Sequence, residues 1–394
     1  MTNLSMPYSK MIKLFFLPAI LLASVNTFSE TKDSSTPFQV SDGLFDLSRP
    51  DSFGLANAKG MKHHKVFTAQ ENISQYNHGA VIFSFKNNLF IQWQSSERDE
   101  DAPETRVLYS QSKNGRDWGS AKVLVEPRKN ALVTNGGWWS DGTILVAYIN
   151  VWPQGMTPKS GHVEYITSED GIKWSAPKPL LDATGKPVRG VIEQDLKQLP
   201  NGRILTALHQ QPGLIAKPFY TDDPQGIKGW KTGEMKNLPH KPEISRELEP
   251  SWFLTEQGHA VMIFRDQGSS FKVLASKSID NGATWSTPIQ TNMPDSRAKQ
   301  SAGNFPDGTA YMVNNPSGSK ERLPLVLTTS DDGQLFNKAF LLRSKQDLSP
   351  MRYEGKYKRI GYSYPKSMVW NNQLWISYAE NKEDIWVTTV DLDE

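Results

Sequence analysis

Polar and ionisable side chains recur along this 394-residue chain at the starts and ends of short apolar runs. The starts carry His78, Asn135, Glu193 with Gln194, Glu249, Lys299 with Gln300, and Tyr364. The ends carry Gln94 with Arg98, Tyr148 with Asn150, His209 with Gln210, Arg265 with Asp266, Asn314 with Asn315, and Tyr378 with Glu380. Histidine and tyrosine exchange protons, and arginine neutralises a carboxylate by a bidentate contact. His78, Tyr148, His209 and Arg265 are therefore the candidate catalytic residues. Arg98, Asn135, Gln194, Glu249 and Tyr364 are the candidate binding residues. The set suits β-elimination from a uronic acid. A base would remove the proton beside the sugar carboxylate, Arg265 or Arg98 would offset the charge that builds there, and an acid would protonate the leaving oxygen. Glu249, Asp266 and Glu193 offer an alternative, two carboxyl groups flanking a glycosidic bond. A third alternative is non-catalytic, with Trp138, Trp139 and Trp152 as platforms for sugar rings.

Other chemistries have less to work with. The chain has no cysteine, which removes disulfides, thiolate catalysis and cysteine-type zinc sites. The net charge is +2 and no basic block stands out, so a nucleic-acid groove is not expected. Glu97-Arg-Asp-Glu-Asp101 reads as a solvated loop able to hold a cation. His63 and His64 are adjacent on a strand and so point to opposite faces. No metal-ligand set is assigned and no cofactor is required, while a structural calcium or zinc ion stays open.

The elements that position these residues follow from a repeat. Ser112-Lys-Asn-Gly-Arg-Asp-Trp118 is followed by Ser168-Glu-Asp-Gly-Ile-Lys-Trp174, then by Thr221 to Trp230, Ser278-Ile-Asp-Asn-Gly-Ala-Thr-Trp285 and Ser330-Asp-Asp-Gly-Gln-Leu-Phe336. The closing aromatics recur every 51–56 residues. In each turn an Asp or Asn folds back onto the backbone and a Gly takes the positive-φ position. Upstream of each turn lie two strands joined by a hairpin, as at Asn201-Gly202 and Asp307-Gly308. Four strands per repeat predict a propeller blade. Five turns predict five blades, and Tyr362 to Val390 supplies three strands of a sixth. Lys65 to Thr68 would complete it and tie the chain ends together. The expected fold is an all-β, six-bladed propeller of four-stranded antiparallel blades. Seven blades would follow if residues 38–68 formed more than one strand.

The turns resemble the Asp-box (BNR) repeats of sialidases and their relatives, and Ser278 to Trp285 matches the full pattern. The likeness covers most of the chain and implies the propeller fold. Sialidases open the first blade with an Arg-Ile-Pro element. Here Gln75-Tyr-Asn-His-Gly-Ala-Val81 stands in its place, without the arginine. From Tyr76 to Tyr109 the chain looks closer to propeller polysaccharide lyases, such as ulvan lyases, and to related rhamnosidases. That resemblance implies His and Tyr as base and acid, with His78 foremost.

Lys10 and Lys13 precede an apolar run from Leu14 to Val25, the pattern of a secretory signal peptide. The run is about 12 residues, too short to span a bilayer comfortably. The expected organisation is a signal peptide at 1–29, a polar tail at 30–40 and one propeller at 41–394. The expectation for function is a secreted or periplasmic monomer acting on an acidic, uronate-containing polysaccharide. A lyase is favoured over a glycoside hydrolase, and a glycan-binding propeller is the further alternative.

Overall fold

The computed structural model describes residues 36–392. The expected signal peptide and the first part of the expected polar tail lie outside the described residues. All regular elements described are strands, and no helix among the described residues is long and apolar enough to cross a membrane.

Six antiparallel sheets follow one another along the chain as the blades of a propeller. Their innermost strands begin at Tyr76, Ala131, Gly190, Glu247, Ser301 and Tyr362. Blade 6 combines Tyr362–Trp370, Gln373–Glu380 and Asp384–Asp391 with Lys62–Phe67 from the other end of the chain. The closing strand pairs antiparallel, His64 opposite Val387. No seventh blade forms. Gln39–Val40 instead pairs with Leu335–Phe336 beside the last Asp-box turn, and Asn57 bridges to Leu341 on the edge of blade 5. Phe38 is buried against Phe253 and Phe336, so the packed propeller includes residues 38–40, which the sequence had assigned to the tail.

Alternation along the strands produces the core. Residues i and i+2 face one neighbouring blade and the residues between face the other. Six apolar clusters result, each shared by two adjacent blades. Val81, Phe90 and Val133 belong to the cluster between blades 1 and 2. Ala80, Ile91 and Trp93 meet Trp375 and Val387 between blades 6 and 1. Burying one such large side chain contributes about 1.5–3 kcal/mol.

The Asp-box turns sit between blades on the face opposite the inner-strand starts. The Gly282 amide donates to Ser278 Oγ at 2.9 Å, and Asp280 accepts from the Thr284 amide at 2.9 Å. Trp285 then covers the turn, donating through Nε1 to the Gly282 carbonyl at 2.9 Å. Trp118 does the same with Gly115, and Trp230 with Gly226. Trp174 differs, its Nε1 reaching Tyr109 Oη at 3.4 Å.

Replacing Asp280 with Ala should cost about 1 kcal/mol, the usual value of such a side-chain-to-backbone bond. Denaturant unfolding with an unchanged m-value would check this. A loss several times larger would mean that the turn also fixes the blade interface.

Candidate active site

The inner strands are irregular where they reach the axis. Pairing slips between His78 and Val81, between Asn135 and Gly137, between Leu248 and Ser251, and between Ser363 and Lys366. In blade 3 the inner strand is broken outright, from Ile192 to Lys197. Such bulges re-aim side chains. Two of them force a non-glycine residue into the left-handed region, Glu249 at φ 53° and Tyr364 at φ 56°. Each precedes a proline, which by itself favours extended backbone. Strain of this kind costs on the order of 1–3 kcal/mol per residue and collects at functional sites. Gly79 takes φ 65°, and a Cβ there would lie 3.2 Å from Gln194 Nε2.

The bulges surround a cavity of about 230 Å³ on the axis, walled by residues of all six blades. Its first cluster joins blades 4 and 6. Tyr364 Oη donates a short hydrogen bond to Glu249 Oε1. Arg265 Nη1 donates to Glu249 Oε2 at 2.8 Å and lies 3.1 Å from Tyr364 Oη. The Arg322 guanidinium sits 5.1 Å from the Tyr364 ring centre and Lys299 Nζ 5.4 Å from it. Burial pushes the Glu249 carboxyl up, but Arg265, Lys299 and the Tyr364 bond outweigh it and hold it at about 2. Burial and the Glu249 charge push the Tyr364 phenol well up. The pair is therefore a neutral phenol donating to a carboxylate.

The second cluster is on blade 3. Glu193 Oε1 lies 3.1 Å from His209 Nδ1, and Glu193 Oε2 makes a 2.8 Å ion pair with Lys299. Lys299 also donates to Gln194 Oε1 at 3.0 Å. Burial raises the Glu193 carboxyl, yet Lys299 and His209 bring it below its ordinary value. His78 stands between the clusters with its ring centre 4.1 Å from that of Tyr364. It is 1% exposed, and neither ring nitrogen has a hydrogen-bond partner among the described residues. Burial, then Lys382, Arg322 and Lys299, holds it well below the normal imidazole range, so it is neutral.

Of the sequence candidates, the structure brings His78, Asn135, Gln194, His209, Glu249 and Tyr364 to the cavity wall, with Arg265 directly behind Glu249 and Tyr364. Asn135 and Gln194 also brace the bulges: Asn135 donates to the Gly79 carbonyl at 2.6 Å and Gln194 to the Asn135 carbonyl at 2.9 Å. Tyr148 is elsewhere. It is fully buried between blades 2 and 3, and its hydroxyl donates to the Gly226 carbonyl at 2.7 Å, leaving no proton to exchange with a substrate. Arg98 is also outside; its side chain is 65% exposed and lies 3.8 Å from Asp99. Asp266 is bound to Arg246, Nε at 3.0 Å, so its carboxylate is committed. Trp138 and Trp139 are core, whereas Trp152 lines the cavity.

Sequence reasoning missed Arg322, Lys382, Glu100 and Asp101. The acidic run Glu97 to Asp101 is not merely solvated. Glu100 and Asp101 line the cavity, paired with Lys382 at 2.5 Å and with Lys159 at 3.1 Å. Arg322 and Lys382 adjoin the starts of third strands, which open on the same face as the starts of first strands. Reading that third position in each blade would have found both. Among the described residues no group of three or more His, Asp or Glu side chains is arranged to hold a metal ion.

A six-bladed Asp-box propeller with a polar cavity on its axis is thus the class of protein defined by these features. The BNR repeat-like domain family matches residues 87–376, and the chain belongs to it. Solved structures agree on the fold. A protein titled sialidase superposes with a TM-score of 0.62 at 18% identity, covering 90% of this chain and 35% of its own. A Dyadobacter fermentans protein of unknown function gives 0.63 at 13% identity, covering 85% of this chain and 100% of its own. The intramolecular trans-sialidase from Ruminococcus gnavus, solved with oseltamivir carboxylate, gives 0.64 at 12%, covering 84% and 98%. This chain therefore spans about a third of the first of these relatives and nearly all of the other two. No curated protein matches by sequence.

Replacing Arg265 with Ala leaves the Glu249 carboxylate buried without its guanidinium. It should cost about 3–5 kcal/mol in chemical denaturation, and Arg265→Lys less. The acid limb supplies a second expectation. The Glu249 carboxyl lies at about 2 in the fold against 4.5 ordinarily. Its contribution is complete above pH 4.5 and is lost as pH falls towards 2. Unfolding measured across that window should have a shallower pH slope in Glu249→Gln than in the parent; an unchanged slope would refute the assignment.

Proposed function

We propose that this chain is an exported carbohydrate-active enzyme, a glycoside hydrolase that removes an acidic sugar through Tyr364. The observation that carries the reading is the Tyr364–Glu249–Arg265 cluster on the axial cavity. A phenol donating to a carboxylate is a nucleophile with its base in place. As Tyr364 Oη bonds to the anomeric carbon, its proton passes to Glu249. The glycosidic C–O bond breaks and a carboxylic acid protonates the leaving oxygen. Asp101 and Glu100 are the cavity-wall carboxyl groups outside the Tyr364 and His209 clusters, and one of them would have to give up its lysine and take a proton to serve. Water then reverses the sequence and releases the sugar with retained configuration.

Charge explains a tyrosine in this role. Arg265, Arg322, Lys299 and Lys382 act on Glu249 and His78 beside the cavity, whose wall also holds Glu100, Asp101, Glu193 and Glu249, and these four cations are the partners offered to an anionic substrate. A carboxylate nucleophile would be repelled by a sugar acid group beside the reacting carbon, and a neutral phenol is not. Two of the structural relatives carry sialidase in their titles, and one of these was solved with a carboxylate ligand, which supports this substrate class. The apolar run from Leu14 to Val25 behind Lys10 and Lys13 supports export.

Lyase action on a uronate polysaccharide is the second reading. The neutral, unpaired imidazole of His78 beside Tyr364 favours it, since such a group can take a proton.

One assay separates the two. The purified protein is incubated with sialosides and uronate polysaccharides, ulvan included, while reducing ends and ultraviolet absorbance are recorded together. Hydrolysis gives reducing ends without absorbance. In that case Tyr364→Phe should lower kcat by about 10³-fold or more, and Glu249→Gln by about 10²–10⁴-fold. Absorbance rising with reducing ends would overturn the hydrolase reading in favour of β-elimination. Full activity in Tyr364→Phe would remove Tyr364 from the hydrolase scheme.

A further inference from the structure

Five of the six blade interfaces are closed on the Asp-box face by an aromatic side chain. Trp118, Trp174, Trp230, Trp285 and Phe336 each end a turn that docks on the preceding blade. Two surfaces of that blade receive the turn. One is its third strand, where the Tyr109 ring meets the Trp174 ring at 5.9 Å between centres and Gln111 donates to the Gly171 carbonyl. The other is the bend between its first two strands, where the Glu256 amide donates to the Asp332 carbonyl at 3.0 Å. Between blades 5 and 6 no such turn exists among the described residues. Leu374 faces Val390 as Ala310 faces Ser330, so Val390 stands where the other turns open on Ser or Thr. Leu392 then stands in place of the turn's Asp or Asn. The fourth strand of blade 6 comes from the other end of the chain. Four residues before it is Ala58, where blades 1, 2 and 4 have Trp118, Trp174 and Trp285. Ala58 is buried, and its amide donates to the Leu341 carbonyl of blade 5 at 3.1 Å.

A cavity of about 390 Å³ lies at this position, with Ala58 in its wall. Leu327 and Thr329 line it three and one residues before Ser330, as Tyr109 and Gln111 stand before Ser112. Phe305 lines it from the bend of blade 5. Its amide donates across that bend to the Thr309 carbonyl at 2.9 Å, as the Thr255 amide of blade 4 donates to the His259 carbonyl at 2.9 Å. Both surfaces that receive a turn elsewhere are therefore present and uncovered by one. Phe340, Val390 and Leu392 extend the apolar wall, and the cavity opens to solvent past the exposed Asp307 and Lys338. It shares no lining residue with the axial cavity. A space left by a missing large side chain and walled by Leu and Phe takes up a free hydrocarbon ring of matching size. We propose that this cavity binds a free planar aromatic molecule the size of an indole, in the place that an Asp-box aromatic holds at the other five interfaces. The site is separate from the Tyr364 cluster and does not depend on its chemistry.

The test uses the full-length protein and 5-fluoroindole, followed by fluorine NMR. The probe's resonance should shift saturably, and unlabelled indole should displace it. The melting temperature of the parent should rise with probe concentration, as it does for any ligand of the folded state. Ala58→Trp supplies the missing ring from the chain itself, so in that variant both the shift and the rise should be lost. Cyclohexanol has similar bulk but no aromatic face, and should displace the probe less well than indole. Crystals soaked with 5-bromoindole locate the site without any variant, so the proposal stays testable if Ala58→Trp fails to fold. A bromine anomalous peak is expected beside Phe305, Leu327 and Phe340. No saturable shift, binding unchanged in a folded Ala58→Trp, displacement by cyclohexanol as strong as by indole, or bromine found only elsewhere would overturn the proposal.

Discussion

A carboxylate buried on the axis of a propeller has to be paired, and Glu249 is paired from two sides. Arg265 comes from the next strand of its own blade, and Tyr364 comes from blade 6. The desolvation of Glu249 would otherwise raise its carboxyl and neutralise it. Arg265 and Lys299 reverse that outcome, and the carboxylate in turn keeps its proton donor, Tyr364, in place. Both the anion and the phenol reach the axis only because their inner strands bulge at a strained residue before proline. The cost of that strain is local. It is offset by the apolar clusters that lock each blade to its neighbours and leave the inner strands no room to relax.

The same arrangement lines the cavity with paired charges. Glu100, Asp101, Glu193 and Glu249 line it, each matched by a lysine or arginine, and burial is the first cause that holds His78 and His209 below the ordinary imidazole range. A ligand of this cavity meets groups whose charges are already partnered, so geometry weighs beside sign in what it would admit.

The fold was legible where local chemistry dictates geometry. Asp or Asn with Gly at a turn, and an aromatic to cover it, marked five blades. The incomplete sixth implied that a strand near Lys65 must close the ring, as Lys62–Phe67 does. The site was legible in part. His78, Glu249 and Tyr364 were found from their places at the inner-strand starts. Tyr148 was misplaced by depth: it shares a face with Asn150 but lies two residues, about 6.6 Å, further along the strand. There it meets Gly226 in the turn of the next blade rather than the cavity. The partnership of Glu249 with Tyr364 spans 115 residues and depends on two bulges, neither of which local patterning expresses. Glu100 and Asp101 were hidden for a different reason. A charged run usually means solvent, and only the lysines facing it from blades 2 and 6 turn it into a wall.

The closing strand also sets an order of events. Lys62–Phe67 hydrogen-bonds to Ile385–Thr389, so a strand ahead of the first blade waits for the third strand of the sixth. Until those arrive, Trp93, Ala80 and Ile91 on blade 1 have no partner surface, and the growing ring presents an apolar flank at one end and an unpaired strand at the other. Such contacts, distant in sequence, form slowly and are prone to misassociation while they are open. A chain of this design is therefore most vulnerable during its synthesis, before the strand Asp384–Asp391 has been delivered.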